Sequence, residues 1–146
     1  MFPDPTVRWT PYPSVIDGLR PPPYVYSRGI WCGLLYLIIV EAPPVMRAYK
    51  VEIKVEIFAA YDEMIYSITN HGDRSSHYDG AVYIKEAVTS ELLETWREAD
   101  PFKRTVRHFL FVGADHCYEV LSSSEPNVSA FPDAEAAYVW NPPWSQ

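Results

Sequence analysis

The chain is short of glycine and cysteine, with six glycines and two cysteines among 146 residues. A loop that cradles phosphate groups needs several glycines close together, and no Gly-x-Gly-x-x-Gly, Walker or Gly-x-Ser-x-Gly motif is present. A Cys-x-x-Cys pair, typical of redox and zinc sites, is also missing. Because no secretory leader is evident, we expect Cys32 and Cys117 to be buried thiols in the reducing cytoplasm rather than a disulfide.

Positive charge and long apolar runs are scarce as well. The chain has 12 Lys and Arg against 19 Asp and Glu, which gives a net charge of −7. A nucleic-acid surface needs clustered Lys and Arg, so we expect no nucleic-acid partner. The most apolar run covers residues 30–40 only, whereas a membrane-spanning helix needs about 20 residues. We therefore expect no transmembrane segment.

A strict alternation between residues 49 and 57 is the strongest structural signal. Apolar side chains occupy the odd positions, and Lys or Glu occupies the even ones. Because side chains alternate across a strand, this segment has one apolar and one charged face. The pattern is typical of an antiparallel sheet with one packed face and one solvated face.

Other segments complete a predicted core. We expect a buried strand over residues 30–40, a long strand over 46–59, and a hairpin over 105–121 with a two-residue turn at Gly113-Ala114. Thr89 is the predicted N-cap of a helix over 89–100. Its apolar stripe is expected to face the apolar side of the long strand; the stripe comprises Leu92, Leu93 and Trp96, and the strand positions are Val51, Ile53, Val55 and Ile57.

These elements predict a single α+β domain. Its antiparallel sheet would have five or more strands, could be strongly curved or barrel-like, and would pack on one main helix. We predict that residues 30–122 form this core. Residues 1–29 and 123–146 hold eleven of the 14 prolines and many aromatics, so we expect them to be extended Pro/aromatic-rich arms, the C-terminal one acidic.

One candidate site is a polar loop with two His-x-Asp units, formed by His71, Asp73, His77 and Asp79. Imidazole and carboxylate groups can bind a divalent metal or act as acid and base. The surrounding Asp-Arg-Ser-Ser is ordinary solvated-loop composition, and Asp and His near glycines are normal turn residues. We therefore predict neither a metal nor another cofactor, and keep these four residues as the weak metal candidate.

A second candidate combines His108, Cys117 and Glu119. With a two-residue turn, His108 would lie opposite Glu119 and diagonally from Cys117 on one face of the hairpin. A cysteine beside a histidine that a carboxylate orients is a workable nucleophile. A buried structural cysteine beside a His–Glu pair is the more common arrangement.

The third candidate is the aromatic and proline content of the arms. Aromatic side chains supply large contact areas at small entropic cost, as binding surfaces require. Pro21-Pro-Pro-Tyr24 also matches the Pro-Pro-x-Tyr ligand of WW domains, which occurs in some viral matrix proteins. The predicted interaction residues are Trp9, Tyr12, Pro21, Pro22, Tyr24, Tyr26, Trp140 and Trp144.

These observations favour a non-catalytic interaction protein, such as an inhibitor, an immunity-type protein or an assembly protein, that binds a protein partner or itself. Two alternatives stay open. One is a small enzyme or ligand-binding cup whose pocket is lined by His108, Cys117, Glu119 and aromatics. The other is a viral matrix-like protein that uses the Pro-Pro-x-Tyr motif.

Overall fold

The structure is a computed structural model that describes residues 7–62 and 82–143. Its strands form two antiparallel sheets. The strands are β1 (Arg8–Pro11), β2 (Tyr24–Trp31), β3 (Leu34–Val40), β4 (Ala48–Lys54), β5 (Ile57–Asp62), β6 (Ile84–Thr89), β7 (Arg107–Val112), β8 (His116–Ser122) and β9 (Asn127–Ala130). Sheet A has the order β1-β6-β7-β8-β5, and sheet B has the order β2-β3-β4-β9. The antiparallel α+β class is confirmed, but the described strands do not close into one barrel-like sheet.

The main core lies between the two sheets. Leu37 and Ile39 of β3 and Val51 of β4 pack against Phe109 of β7 and Val120 of β8, and all five are fully buried. Since side chains alternate along a strand, the neighbours of these residues lie on the outer faces. A short helix packs on each outer face, so the molecule has four layers.

Helix α1 (Glu91–Ala99) packs on sheet A, where Leu93 contacts Leu121. Its N-cap is Ser90 rather than the predicted Thr89, because Thr89 stays in β6 opposite Arg8. Helix α2 (Ala134–Val139) packs on sheet B, where Ala137 contacts Ile38 and Val40. A single main helix is therefore not confirmed.

The predicted buried strand over residues 30–40 is present only from Leu34 to Val40, because a hairpin turn at residues 32–33 separates it from the end of β2. Strand β2 ends at Trp31 and β3 begins at Leu34, directly opposite it. The two turn residues, Cys32 and Gly33, both have positive φ angles, of 49° and 76°. Positive φ at both positions defines the tight turn that suits the twist of paired strands, and Gly usually supplies at least one of them. Cys32 is consequently exposed, not buried as predicted.

The predicted long strand over residues 46–59 is two strands. The chain leaves sheet B after Lys54 and enters sheet A at Ile57. Val51 and Ile53 are buried as the alternation predicts, but they face sheet A across the core. Only Ile57 packs with the helix stripe, so the predicted partner of this face was wrong.

The extended arms are not confirmed. Residues 8–11 and 24–31 form β1 and β2, and between them Ile16 and Leu19 are buried in the main core. At the other end, residues 127–130 form β9 beside β4, and α2 follows. Asp133 caps α2 by accepting a hydrogen bond from the Ala136 amide at 2.8 Å. Each end of the described chain thus contributes a strand to the folded sheets.

Candidate functional site

His108 is the centre of a buried hydrogen-bond network on the outer face of sheet A. Its Nε2 lies 2.7 Å from Glu119 Oε1, and its Nδ1 lies 2.9 Å from Ser90 Oγ. Tyr61 donates its phenol proton to the other carboxylate oxygen of Glu119 at 2.6 Å. Trp9 packs edge-on against the imidazole, with ring centroids 4.9 Å apart. His108, Glu119 and Ser90 are exposed by only 1%, 2% and 6%.

The donors and acceptors of this network fit one another. With an ionised Glu119 and a neutral His108, every role is filled when Nε2 donates to the carboxylate and Nδ1 accepts from the Ser90 hydroxyl. The Ser90 oxygen in turn accepts the Leu93 amide proton at 3.0 Å, which caps α1. The Ser–His–Glu line has the connectivity of a hydrolase triad. Here, however, the hydroxyl is buried and already caps a helix.

Cys117 lies on the same outer face as His108 but not beside it. The β7–β8 turn is longer than the predicted two residues, so Cys117 lies opposite Val112, Glu119 opposite Leu110, and His108 opposite Leu121. His108 and Val112 are four positions apart on β7, which separates His108 from Cys117 by about 13 Å along the strands. The structure brings His108 and Glu119 together as diagonal neighbours and places buried Cys117 farther along β8, opposite Tyr61.

Sequence reasoning missed Ser90 and Tyr61 as members of the network. Ser90 follows β6 and Tyr61 lies on β5, so long-range strand pairing alone brings Ser90 to His108 and Tyr61 to Glu119. The weak metal candidates His71, Asp73, His77 and Asp79 lie outside the described residues. Within residues 7–62 and 82–143, no group of three His, Cys, Asp or Glu side chains could hold a metal ion.

Two surface cavities lined entirely by described residues lie beside the helices, and His108 lines neither of them. One cavity of about 240 Å³ lies between the β3–β4 loop and the approach to α2. Its lining residues are Val45, Met46, Arg47, Ala48, Tyr49, Ala130, Phe131, Pro132 and Asp133. The other, of about 160 Å³, lies at the C-terminal end of α1 beside Trp96 and Arg104.

Aromatic residues from both ends of the chain meet on the outer face of sheet B. Tyr26 on β2 packs into the same cluster as Ala137 of α2 and the nearby Trp140. Tyr24 and Trp31 lie on the same outer face of β2 and are 44% and 42% exposed. The last turn of α2, which packs on this outer face, carries Tyr138 and Val139, which are 50% and 67% exposed. We call this surface, made of Tyr24, Tyr26, Trp31, Tyr138 and Val139, the tyrosine face.

Arg28 lies in the middle of the tyrosine face. Its Nη2 donates to the Trp140 carbonyl oxygen at 2.8 Å, which ties β2 to the end of α2. Burial raises the pKa of Tyr26, while nearby Arg28 lowers it and Tyr138 raises it, so these three side chains lie close together. The Nε of Arg28 is buried and has no hydrogen-bond partner among the described residues.

Trp140 anchors α2 beneath this surface. Its indole packs against Tyr36 and Phe131, with ring centroids 5.5 and 6.4 Å apart. The ammonium group of Lys50 lies 5.1 Å from the indole centroid, which adds a cation–π contact. Half-buried Trp140 therefore holds the tyrosine face in place rather than forming its exposed part.

Among the other predicted interaction residues, some pack against the interior of the fold and others are exposed. Trp9 packs on His108, and Tyr12 packs edge-on against Phe109 at 5.3 Å. Pro21 and Pro22 are exposed, and Tyr24 begins β2 opposite Val40. Trp144 lies outside the described residues.

Comparisons of the chain with protein-family models, with curated proteins and with solved structures gave no match. Of the helices in residues 7–62 and 82–143, none has the length and apolar character needed to cross a membrane.

Proposed function

We propose that the chain is a non-catalytic protein that binds another protein through the tyrosine face. The observation that carries this proposal is the meeting of β2 and α2 aromatics on one surface where large apolar side chains stay exposed. Tyr24, Tyr138 and Val139 are 44%, 50% and 67% exposed, whereas other apolar residues of the same strand and helix are buried in the fold. Exposed large apolar side chains grouped on one outer face are typical of interaction sites.

The chemistry of the surface supports the same function. Tyrosine and tryptophan provide large, stiff contact areas and a polar tip, and they are enriched among the residues that dominate binding energy. Here they stand on a strand and on a helix that Arg28 and Trp140 fix in position. A preformed surface loses little conformational entropy when it binds.

A small enzyme is the second candidate, favoured by the Ser90–His108–Glu119 line. Its hydrogen bonds at 2.9 and 2.7 Å have the lengths that a proton relay needs. Burial of all three residues supports a structural role instead, because a substrate must reach the serine oxygen. Hydrolysis of a simple activated ester by the purified protein, lost on Ser90→Ala, would favour the enzyme.

Photo-cross-linking tests the binding proposal directly. A photoreactive benzoylphenylalanine in place of Tyr138 is irradiated in the cells that express the chain. We expect one discrete adduct, because Tyr138 would lie within the contact. Irradiation of the purified protein distinguishes two kinds of partner. A second copy of this chain would cross-link in the purified sample as well, whereas a different protein would give the adduct only in cells.

Phe102 offers a matched control position. It is 79% exposed and lies beside α1, on the opposite outer face of the molecule. Benzoylphenylalanine at Phe102 should not yield the adduct obtained at Tyr138. Equal labelling at the two positions, or no adduct at Tyr138, would contradict binding through the tyrosine face.

A further inference from the structure

We infer that the tyrosine face recognises an acidic protein segment, whose Asp or Glu carboxylate pairs with Arg28 while its apolar neighbours pack on Tyr138 and Trp31. This inference rests on the proposed function and names the chemistry of the partner. It begins from the unusual surroundings of the Arg28 guanidinium.

Arg28 differs from the other half-buried arginine of the described chain. Arg107 is held by Glu86 at 2.6 and 2.7 Å and by Glu125 at 2.7 Å. Arg28, in contrast, has no carboxylate within ion-pair distance among residues 7–62 and 82–143. Its hydrogen bond to the neutral Trp140 carbonyl leaves the positive charge without a compensating carboxylate in this part of the chain.

An uncompensated, partly buried cation is costly for the free protein. Desolvation weakens its hydration, and the buried Nε lacks an acceptor. A carboxylate from a partner would form a charge-assisted hydrogen bond with the outward part of the guanidinium and offset its lost hydration. The Arg28 charge thus gives the apolar surface a specificity for acidic ligands.

The flanking residues indicate a protein segment rather than another anion. Tyr24 and Tyr26 precede Arg28 on the same face of β2, and Trp31 follows it, so apolar contacts are available on both sides of the charge. A nucleic acid would bring many phosphates to a chain of net charge −7. One arginine among aromatics suits one carboxylate among apolar side chains.

Selection from a phage-displayed library of random short peptides tests the inference. The immobilised full-length protein should enrich sequences with an Asp or Glu between aromatic or branched apolar residues. A synthetic peptide of the selected consensus, measured by fluorescence anisotropy, should lose about tenfold or more in affinity on Arg28→Gln. Arg28→Lys should weaken binding less, because it keeps the charge and loses only the fork.

The matched control is Arg97→Gln, since Arg97 is an exposed arginine on α1 at the opposite outer face. It should leave the affinity unchanged, and thermal unfolding should show that both variants keep their fold. Peptides without acidic residues that still need Tyr138 would overturn the inference and leave the proposed function standing. Failure to enrich any peptide would overturn the inference, while Tyr138 cross-linking still decides the proposed function separately.

Discussion

The buried network around His108 predicts a large stability loss when Glu119 is removed. Glu119→Ala leaves His108 Nε2–H and the Tyr61 hydroxyl without their shared acceptor. Each unsatisfied buried donor costs about 1–3 kcal/mol. With the cavity that the truncation leaves, we expect a loss of about 3–5 kcal/mol in the free energy of unfolding.

Tyr61→Phe measures one part of the same network. It removes a single donor and leaves the His108–Glu119 contact, so we expect the free energy of unfolding to fall by about 1–3 kcal/mol. Because both variants disrupt the same carboxylate contact, the double variant should cost less than the sum of the two. Additive losses would show that the two side chains do not act together.

Urea unfolding, followed by tryptophan fluorescence, is the assay. Trp9 packs on His108 at 4.9 Å, so its emission reports on this region. Glu98→Ala is the control, since Glu98 is an exposed residue of α1 and should change stability by less than about 0.5 kcal/mol. If Glu119→Ala costs no more than Glu98→Ala, the network does not stabilise the fold as described.

Two further predictions concern other contacts. Glu41 accepts hydrogen bonds from Arg47 at 2.7 and 3.0 Å and from the Arg20 amide at 2.8 Å, which lowers its pKa from 4.5 to about 2. Because the folded-state pKa is lowered, the ionised Glu41 stabilises the fold above pH 4.5, and this stabilisation is lost as the pH falls from 4.5 towards 2. Glu41→Gln should therefore lower the free energy of unfolding by about 1–3 kcal/mol near neutral pH and by much less near pH 2, and an equal loss in urea titrations at the two pH values would refute this. In Gly113→Ala, the added Cβ would lie 2.8 Å from both the His116 carbonyl oxygen and the Val25 Cβ. This close approach should cost about 1–3 kcal/mol, seen as a lower Tm, and an unchanged Tm would contradict it.

The sequence predicted which residues of the alternating segment are buried, but not which element of the fold packs on them. Alternation marked Val51 and Ile53 as buried, because the pattern follows directly from strand geometry. It could not tell whether a helix or a second sheet covers that face. The break after Lys54, where the chain passes between sheets, carries no Gly or Pro to signal it.

The candidate sites were likewise predicted only in part. The His108–Glu119 contact is present although the predicted register was wrong, because a shift of two residues keeps both side chains on one face. The same shift of two residues in the register moves Cys117 along the strand, away from His108. The approach of β2 to α2 joins residues more than a hundred positions apart, as in the Arg28–Trp140 hydrogen bond, and no local pattern predicts it.

The most direct test of the central claim compares two exposed apolar residues on opposite faces. Val139 is 67% exposed on the tyrosine face, and Phe102 is 79% exposed beside α1. The partner identified by cross-linking at Tyr138 is titrated by calorimetry against Val139→Asp and Phe102→Asp. We predict that Val139→Asp weakens binding by about tenfold or more while Phe102→Asp leaves it unchanged. Unchanged affinity for Val139→Asp, or an equal loss for both variants, would contradict the account.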